Sequence, residues 1–186
     1  MKFHIEHFTE LASTSSMILQ QASHGAEEGL VIWTDYQSEG RGKPGQKWQS
    51  PKGKDLLFSI LLRPPISPSK APFLTQIACR SVAVVLKNKY GIDSVFKRPN
   101  DIMIGTKKIC GVLVESSSKT QDRIENAVIG IGLNVNAAAD EIFPTGVSMK
   151  MLTGSDYSRE EILAALLEQL SKDLAGLYGT EAKFHG

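Results

Sequence analysis

Cysteine is scarce: only Cys79 and Cys110 occur. Two cysteines cannot build a disulfide framework, nor by themselves a four-ligand zinc site. A reducing, cytoplasmic setting is the default expectation. Long apolar runs are missing too. The longest, around Leu56–Leu62, is far shorter than the roughly 20 residues of a spanning helix, so no membrane association is expected. The N-terminal MKFHIEHFTE has no apolar core of a secretory signal. An excess of either charge is absent: Lys and Arg number 21, Asp and Glu 20, a net charge of +1. That balance speaks against a DNA-coating protein. The histidines, His4, His7, His24 and His185, lie toward the two ends without metal-ligand spacing, and no metal ligands are assigned. Neither a Walker loop nor a dinucleotide-binding glycine fingerprint occurs.

What remains is ordinary globular material. The 186 residues are 41% hydrophobic and 22% charged, enough for one good-sized core. Residues 13–24 open with Ser and Thr capping residues and read as a short helix. Residues 29–36 and 55–63 read as buried strands. A polar, glycine-rich loop over 37–54 joins them, and 64–72 is a proline-rich connector. Phe73–Tyr90 has helical apolar spacing with Gly91 as a stop. Ser94–Lys97, Asp101–Ile104, Lys107–Glu115 and Ile124–Asn136 read as successive strands, with Gly105-Thr106 suited to a two-residue hairpin turn. Residues 137–157 look irregular. Residues 158–178 begin with Ser158 three positions before Glu161, a capping box, and carry a leucine-rich stripe. Strands in the middle and helices on the flanks predict an α+β fold, a mixed, largely antiparallel central sheet packed by helices. No linker divides the chain, so 1–186 is expected to form a single domain.

Chemistry concentrates in a few places. The loop Gly40–Lys54 holds Gly40, Gly42, Gly45 and Gly53 with Arg41, Lys43, Lys47, Lys52 and Lys54, and no acid. Glycines let backbone N–H groups turn toward a ligand and the cations neutralise it, which suits a phosphate. The plainer alternative is a solvated basic hairpin. Trp48 is a large ring in this polar stretch, able to cap a ligand or to anchor the loop. Gln37 sits at a strand end. Lys97–Asp101 (KRPND) presents Asn100 and Asp101 at a strand junction, since Pro99 blocks helix. Alternation along 107–115 places Lys108 on one face with Cys110, Val112 and Val114. Cys110 reads as a small buried residue rather than a nucleophile. Gly130 and Gly132, inside a strand, mark the close approach of another backbone or a ligand.

In order, these segments resemble the catalytic domain of biotin protein ligases. Ser13–Ser15, Gln37–Trp48 (QSEGRGKPGQKW), Ser50–Gly53 (SPKG), Lys97–Asp101 (KRPND), Lys107–Glu115 (KKICGVLVE) and Gly130–Asn136 (GIGLNVN) carry the likeness, from about Phe8 to Tyr178. The resemblance implies an enzyme of cytoplasmic location with biotin, ATP and Mg²⁺ as its small molecules. Biotin would be activated to biotinyl-5′-AMP and then passed to a lysine of a biotin carboxyl carrier protein. It further implies Arg41, Lys108 and Asp101 as catalytic residues. Ser13, Thr14, Gln37, Gly40, Arg41, Lys108 and Gly111 would line biotin. Arg41, Lys43, Trp48, Lys97, Asn100 and Asn134 would serve the nucleotide. Several positions depart from the family's pattern: Arg98 replaces a usual Trp, Pro44 and Gln46 common arginines, Ser15 an Asn, and Asp55 a frequent Asn. The resemblance leads us to expect no N-terminal helix-turn-helix domain, no DNA partner and no small C-terminal β domain, and it leaves a homodimer open. The alternatives are a lipoate or octanoate ligase or transferase of the same superfamily, or a non-catalytic biotin-binding module.

Overall fold

The structure is a computed structural model and describes residues 1–43 and 45–178; Pro44 and His185 lie outside the described residues. Among the described residues seven strands form one sheet: β1 (His4–Phe8), β2 (Leu30–Thr34), β3 (Leu56–Leu62), β4 (Val95–Lys97), β5 (Asp101–Ile104), β6 (Lys107–Ser117) and β7 (Asn126–Leu133). Their spatial order is β1-β2-β3-β7-β6-β5-β4. β1 and β2 run parallel and every other neighbouring pair is antiparallel. Among the described residues the α-helices are α1 (Thr14–Ser23), α2 (Ala71–Tyr90), α3 (Met149–Thr153) and α4 (Arg159–Tyr178). The α+β expectation holds.

The ends of the helices follow from their caps. Ser13 precedes α1 in an extended conformation and accepts from the Ser16 N–H. Gly91 ends α2 at φ 69°, a left-handed position that costs a side-chain-bearing residue strain. Ser158 Oγ accepts from the Glu161 N–H at 3.1 Å, yet the carboxylate that answers the serine is that of Glu160, at 3.0 Å. The capping box is therefore half formed.

Period-two alternation sorts each central strand between two faces. Val31 and Trp33, then Leu56, Phe58, Ile60 and Leu62, then Ala127, Ile129, Ile131 and Leu133 enter one large core with α2 and α4. Their neighbours Leu30, Ile32, Leu61 and Val128 pack with Ile18 of α1 on the opposite face. That second cluster covers only part of its face.

Four features differ from the sequence expectation. β1 lies where no strand was expected, because it is an edge strand with mostly exposed residues and no apolar pattern of its own. α3 arises within the supposedly irregular 137–157, capped by Ser148 and closed by Gly154. β7 stops at Leu133, not Asn136, because the Asn134 and Val135 carbonyls turn away to accept from Met149 and Lys150. Lys108 does not share a face with Cys110 and Val112. A bulge opposite Ile102 and Met103 inserts Ile109 into the register, and the extra residue turns Lys108 to the face of Gly111.

Candidate functional site

The uncovered part of the α1 face is a cleft. Its floor consists of small residues at positions where the opposite parity carries large ones: Ser59, Gly130, Gly132 and Gly111. Its edges are the start of α1, the KRPND turn and the basic loop.

At one end, hydroxyls and an amide form a chain. Gln37 Oε1 accepts from the Thr14 N–H at 2.8 Å and from Thr14 Oγ1 at 3.1 Å. Thr14 Oγ1 meets Ser59 Oγ at 2.7 Å, and Ser59 Oγ meets Ser15 Oγ at 2.9 Å. Ser13 stands beside them on the wall. Gly130 is required here: a Cβ on it would lie 2.7 Å from Ser15 Oγ. Such a row of buried hydroxyls can reorient its protons to match donors and acceptors of a polar ring.

At the other end, cations gather. The basic loop is a small hairpin, in which Gly42 N–H donates to Gln46 and Trp48 N–H to Gly40. Arg41 reaches across to Glu115 of β6, Nη2 to Oε2 at 2.5 Å. Its Nε is buried without a hydrogen-bond partner, a spare donor at the cleft. Lys108 Nζ lies 2.6 Å from Asp101 Oδ1 and 5.2 Å from the Trp48 ring centre. Lys43 is on the same wall.

Trp48 lies flat against the glycine floor. A Cβ on Gly132 would come within 2.5 Å of the Trp48 ring, and one on Gly111 within 2.8 Å. The close approach marked by Gly132 is thus to this ring. With the ring seated, the remaining void is about 60 Å³, well below the roughly 300–1,000 Å³ of small-molecule sites. A ligand of that class needs the ring to shift. On the far side of Trp48 a roomier cavity of about 520 Å³ lies between the loop and residues 140–144, where the exposed Phe143 ring stands.

The candidates from the sequence fall into four groups. Ser13, Thr14, Gln37, Arg41, Lys43, Trp48, Asn100, Lys108 and Gly111 meet at the cleft, with Asp101 joined to it through Lys108. Gly40 borders the roomier cavity instead. Asn134 Nδ2 donates to the Lys108 and Val147 carbonyls, both at 3.1 Å, so its amide positions the Lys108 backbone. Lys97 is exposed and borders neither cavity. Three participants were not singled out for a role: Ser59, Glu115 and Phe143. Ser59 carried a faint signal, one hydroxyl inside the apolar strand DLLFSILLR.

Buried ionisable groups near the site are structural. Burial pushes the Cys79 thiol up to about 12 and the Cys110 thiol well above its ordinary value, so neither forms a ready thiolate. Asp55 is 1% exposed. Burial raises its carboxyl to about 6, against the opposing N–H bonds of Val135 and Ala137. Asp35 sits at the base of the loop between His7 and Arg159. Burial works to raise it, but the hydrogen bonds and charges of Arg159 and His7 prevail and hold it below the ordinary carboxylate value. Among the described residues no group of three or more His, Cys, Asp or Glu could hold a metal ion, and no helix is long and apolar enough to cross a membrane.

Comparison with known proteins places this arrangement. The model of the biotin/lipoate A/B protein ligase family matches residues 8–134. The bifunctional ligase/repressor BirA of Bacillus subtilis is 33% identical over 168 residues, which are 88% of this chain and 51% of that protein. The biotin–[acetyl-CoA-carboxylase] ligase of Mycobacterium tuberculosis is 28% identical over 87% of this chain and 60% of its own length. The chain thus spans about half the length of the curated relatives it matches. Among solved structures, the Aquifex aeolicus biotin protein ligase in complex with biotin and ATP superposes with a TM-score of 0.78 at 30% identity, over 92% of this chain and 70% of that one.

Proposed function

This chain belongs to the biotin/lipoate A/B protein ligase family, and on that premise we propose that it is the catalytic domain of an ATP-dependent biotin protein ligase. Its acceptor would be a lysine of a biotin carboxyl carrier protein. The observation that carries the reading is the polarity of one cleft: a hydroxyl and amide chain at one end, Arg41 and Lys108 at the other, and a glycine floor between them.

The chemistry follows from that layout. A biotin carboxylate oxygen attacks the α-phosphorus of ATP; a P–O bond forms, and the bond to the β-phosphate breaks with loss of pyrophosphate. Both reactants are anions, so their approach costs Coulomb energy. Lys108 and Arg41 neutralise them and stabilise charge growing on phosphorus. Thr14, Ser13 and Gln37 hold the ureido ring, whose buried polar edges need partners. In the second step a neutral lysine amine attacks the acyl carbon. A C–N bond forms, the acyl–phosphate C–O bond breaks, AMP leaves with that electron pair, and the nitrogen gives up its extra proton. Asp101, beside Lys108, would orient the amine and accept the proton. The void beyond Trp48, with Phe143 at its edge, has room for a nucleoside. Magnesium would come with ATP as its counter-ion, held chiefly by phosphates and water, and would supply neutralisation of phosphate charge.

Pyrophosphate release on mixing the chain with biotin and ATP tests the first step, and transfer of labelled biotin to an apo carrier domain tests the second. Release with lipoate but not biotin would overturn the choice of substrate. Biotin binding without any release would overturn the catalytic role.

A further inference from the structure

A third cavity, of about 400 Å³, lies beside the cleft between the start of α2, the turn joining β4 to β5, and β6. Phe96, Pro99, Leu113 and Val114 give it an apolar lining, and Arg98 and Lys43 add positive charge. Among the described residues no acidic one lines it, and the first turn of α2, which forms one wall, has none. Arg98 is exposed, and among the described residues no ion pair engages it. Large apolar surfaces beside unpaired cations favour a partner that is itself apolar and acidic.

The wall shared with the cleft contains Asn100. This residue is 8% exposed. Its Nδ2 is committed to the Val112 carbonyl at 2.7 Å, while its Oδ1 is buried with no hydrogen-bond partner. A buried acceptor lacking a donor is costly, since it has given up water without a replacement. The wall between the two cavities therefore offers an acceptor to an N–H or O–H donor, and the outer cavity suits acidic and apolar groups.

We propose that this cavity seats the acceptor segment of the carrier protein. Acidic and apolar side chains beside the target lysine lie against Arg98 and the Phe96–Leu113 surface. The lysine side chain enters past Asn100, donates to Oδ1, and reaches the acyl carbon near Lys108 and Asp101. The surrounding cations serve the same end, because nearby positive charge disfavours an ammonium and favours the neutral amine that attacks. This inference rests on the ligase reading. It makes Arg98, which stands in place of the family's usual Trp, the residue that selects an acidic carrier.

The test uses the whole chain, biotin, ATP and an apo biotin carboxyl carrier domain as probe. Arg98→Glu is expected to raise the KM for the carrier by about tenfold or more while carrier-free pyrophosphate release stays within about twofold. Gln76→Glu, an exposed change on the α2 wall, should move the carrier KM the same way by less. Changing acidic residues flanking the carrier lysine to lysine should restore the Arg98→Glu enzyme. An unchanged carrier KM in both variants, or a parallel loss of pyrophosphate release, overturns the docking assignment. Absence of pyrophosphate release from the unaltered chain would instead remove the ligase reading and this one with it.

Discussion

The two faces of the sheet are made by the same strands and behave as different materials. Toward α2 and α4, Phe58, Ile60, Ile129 and Leu133 share one core with Leu166 and Leu170, all essentially inaccessible to solvent. One residue along, toward α1, the same strands offer Ser59, Gly130 and Gly132. The first face gains from close packing of branched side chains. The second omits side chains, leaves a cleft, and spends buried polar groups on hydrogen bonds. Stability therefore concentrates on one face and the proposed ligand chemistry on the other, and a substitution should damage one with little effect on the other.

Lys108→Ala should give the largest effect, a fall of about 10²–10³ in the rate of adenylate formation with the fold retained; pyrophosphate release and far-UV circular dichroism report the two. Near-normal turnover would break the comparison at its centre. Leu166→Ala, on the packed face, should cost about 3 kcal/mol of stability in urea unfolding, with carrier-free pyrophosphate release preserved in the folded fraction. Asp55→Asn should remove about 2 kcal/mol of the stability difference between pH 8 and pH 4, because it abolishes the buried charge while keeping an acceptor for the Val135 N–H. The sign follows from the raised value of about 6: the folded state binds the proton more tightly than the unfolded one. Wild-type stability therefore rises relative to the variant as pH falls through 6 toward 4, and parallel unfolding curves at both pH values would refute this. Gly132→Ala should displace Trp48, speeding proteolysis within the loop by roughly fivefold for about 1 kcal/mol of strain. Glu115→Gln removes the charge that holds Arg41 and should give the smallest change, under about 1 kcal/mol, since the pair is about one-third exposed.

Legibility differed between the faces in the same way. The packed face could be read, because continuous apolar strands such as Leu56–Leu62 and the α4 leucine stripe state their burial directly. On the cleft face the residue types were readable but their partners were not. Gly132 signalled a close approach, yet the approaching ring comes from Trp48 at the far end of a loop. Ser59 is one hydroxyl in an apolar run, and only the packing of α1 on β3 brings Thr14 and Ser15 to it. The Arg41–Glu115 pair joins segments 74 residues apart. Lys108 was assigned the wrong face, because alternation cannot foresee a bulge.

By itself the sequence determined what is local: where helices start and stop, through Ser13, Ser158 and Gly91; which strands alternate; and that cations and glycines share one loop. These follow from backbone sterics and hydrogen bonds within a few residues. The tertiary structure decided what covers each face: that Trp48 rests on glycines of β6 and β7, that Lys108 turns to the cleft, and that Arg98 opens onto a cavity of its own. A period of two states that a strand has two sides. Which side meets a helix, and which is left for a ligand, depends on contacts between residues far apart in the chain.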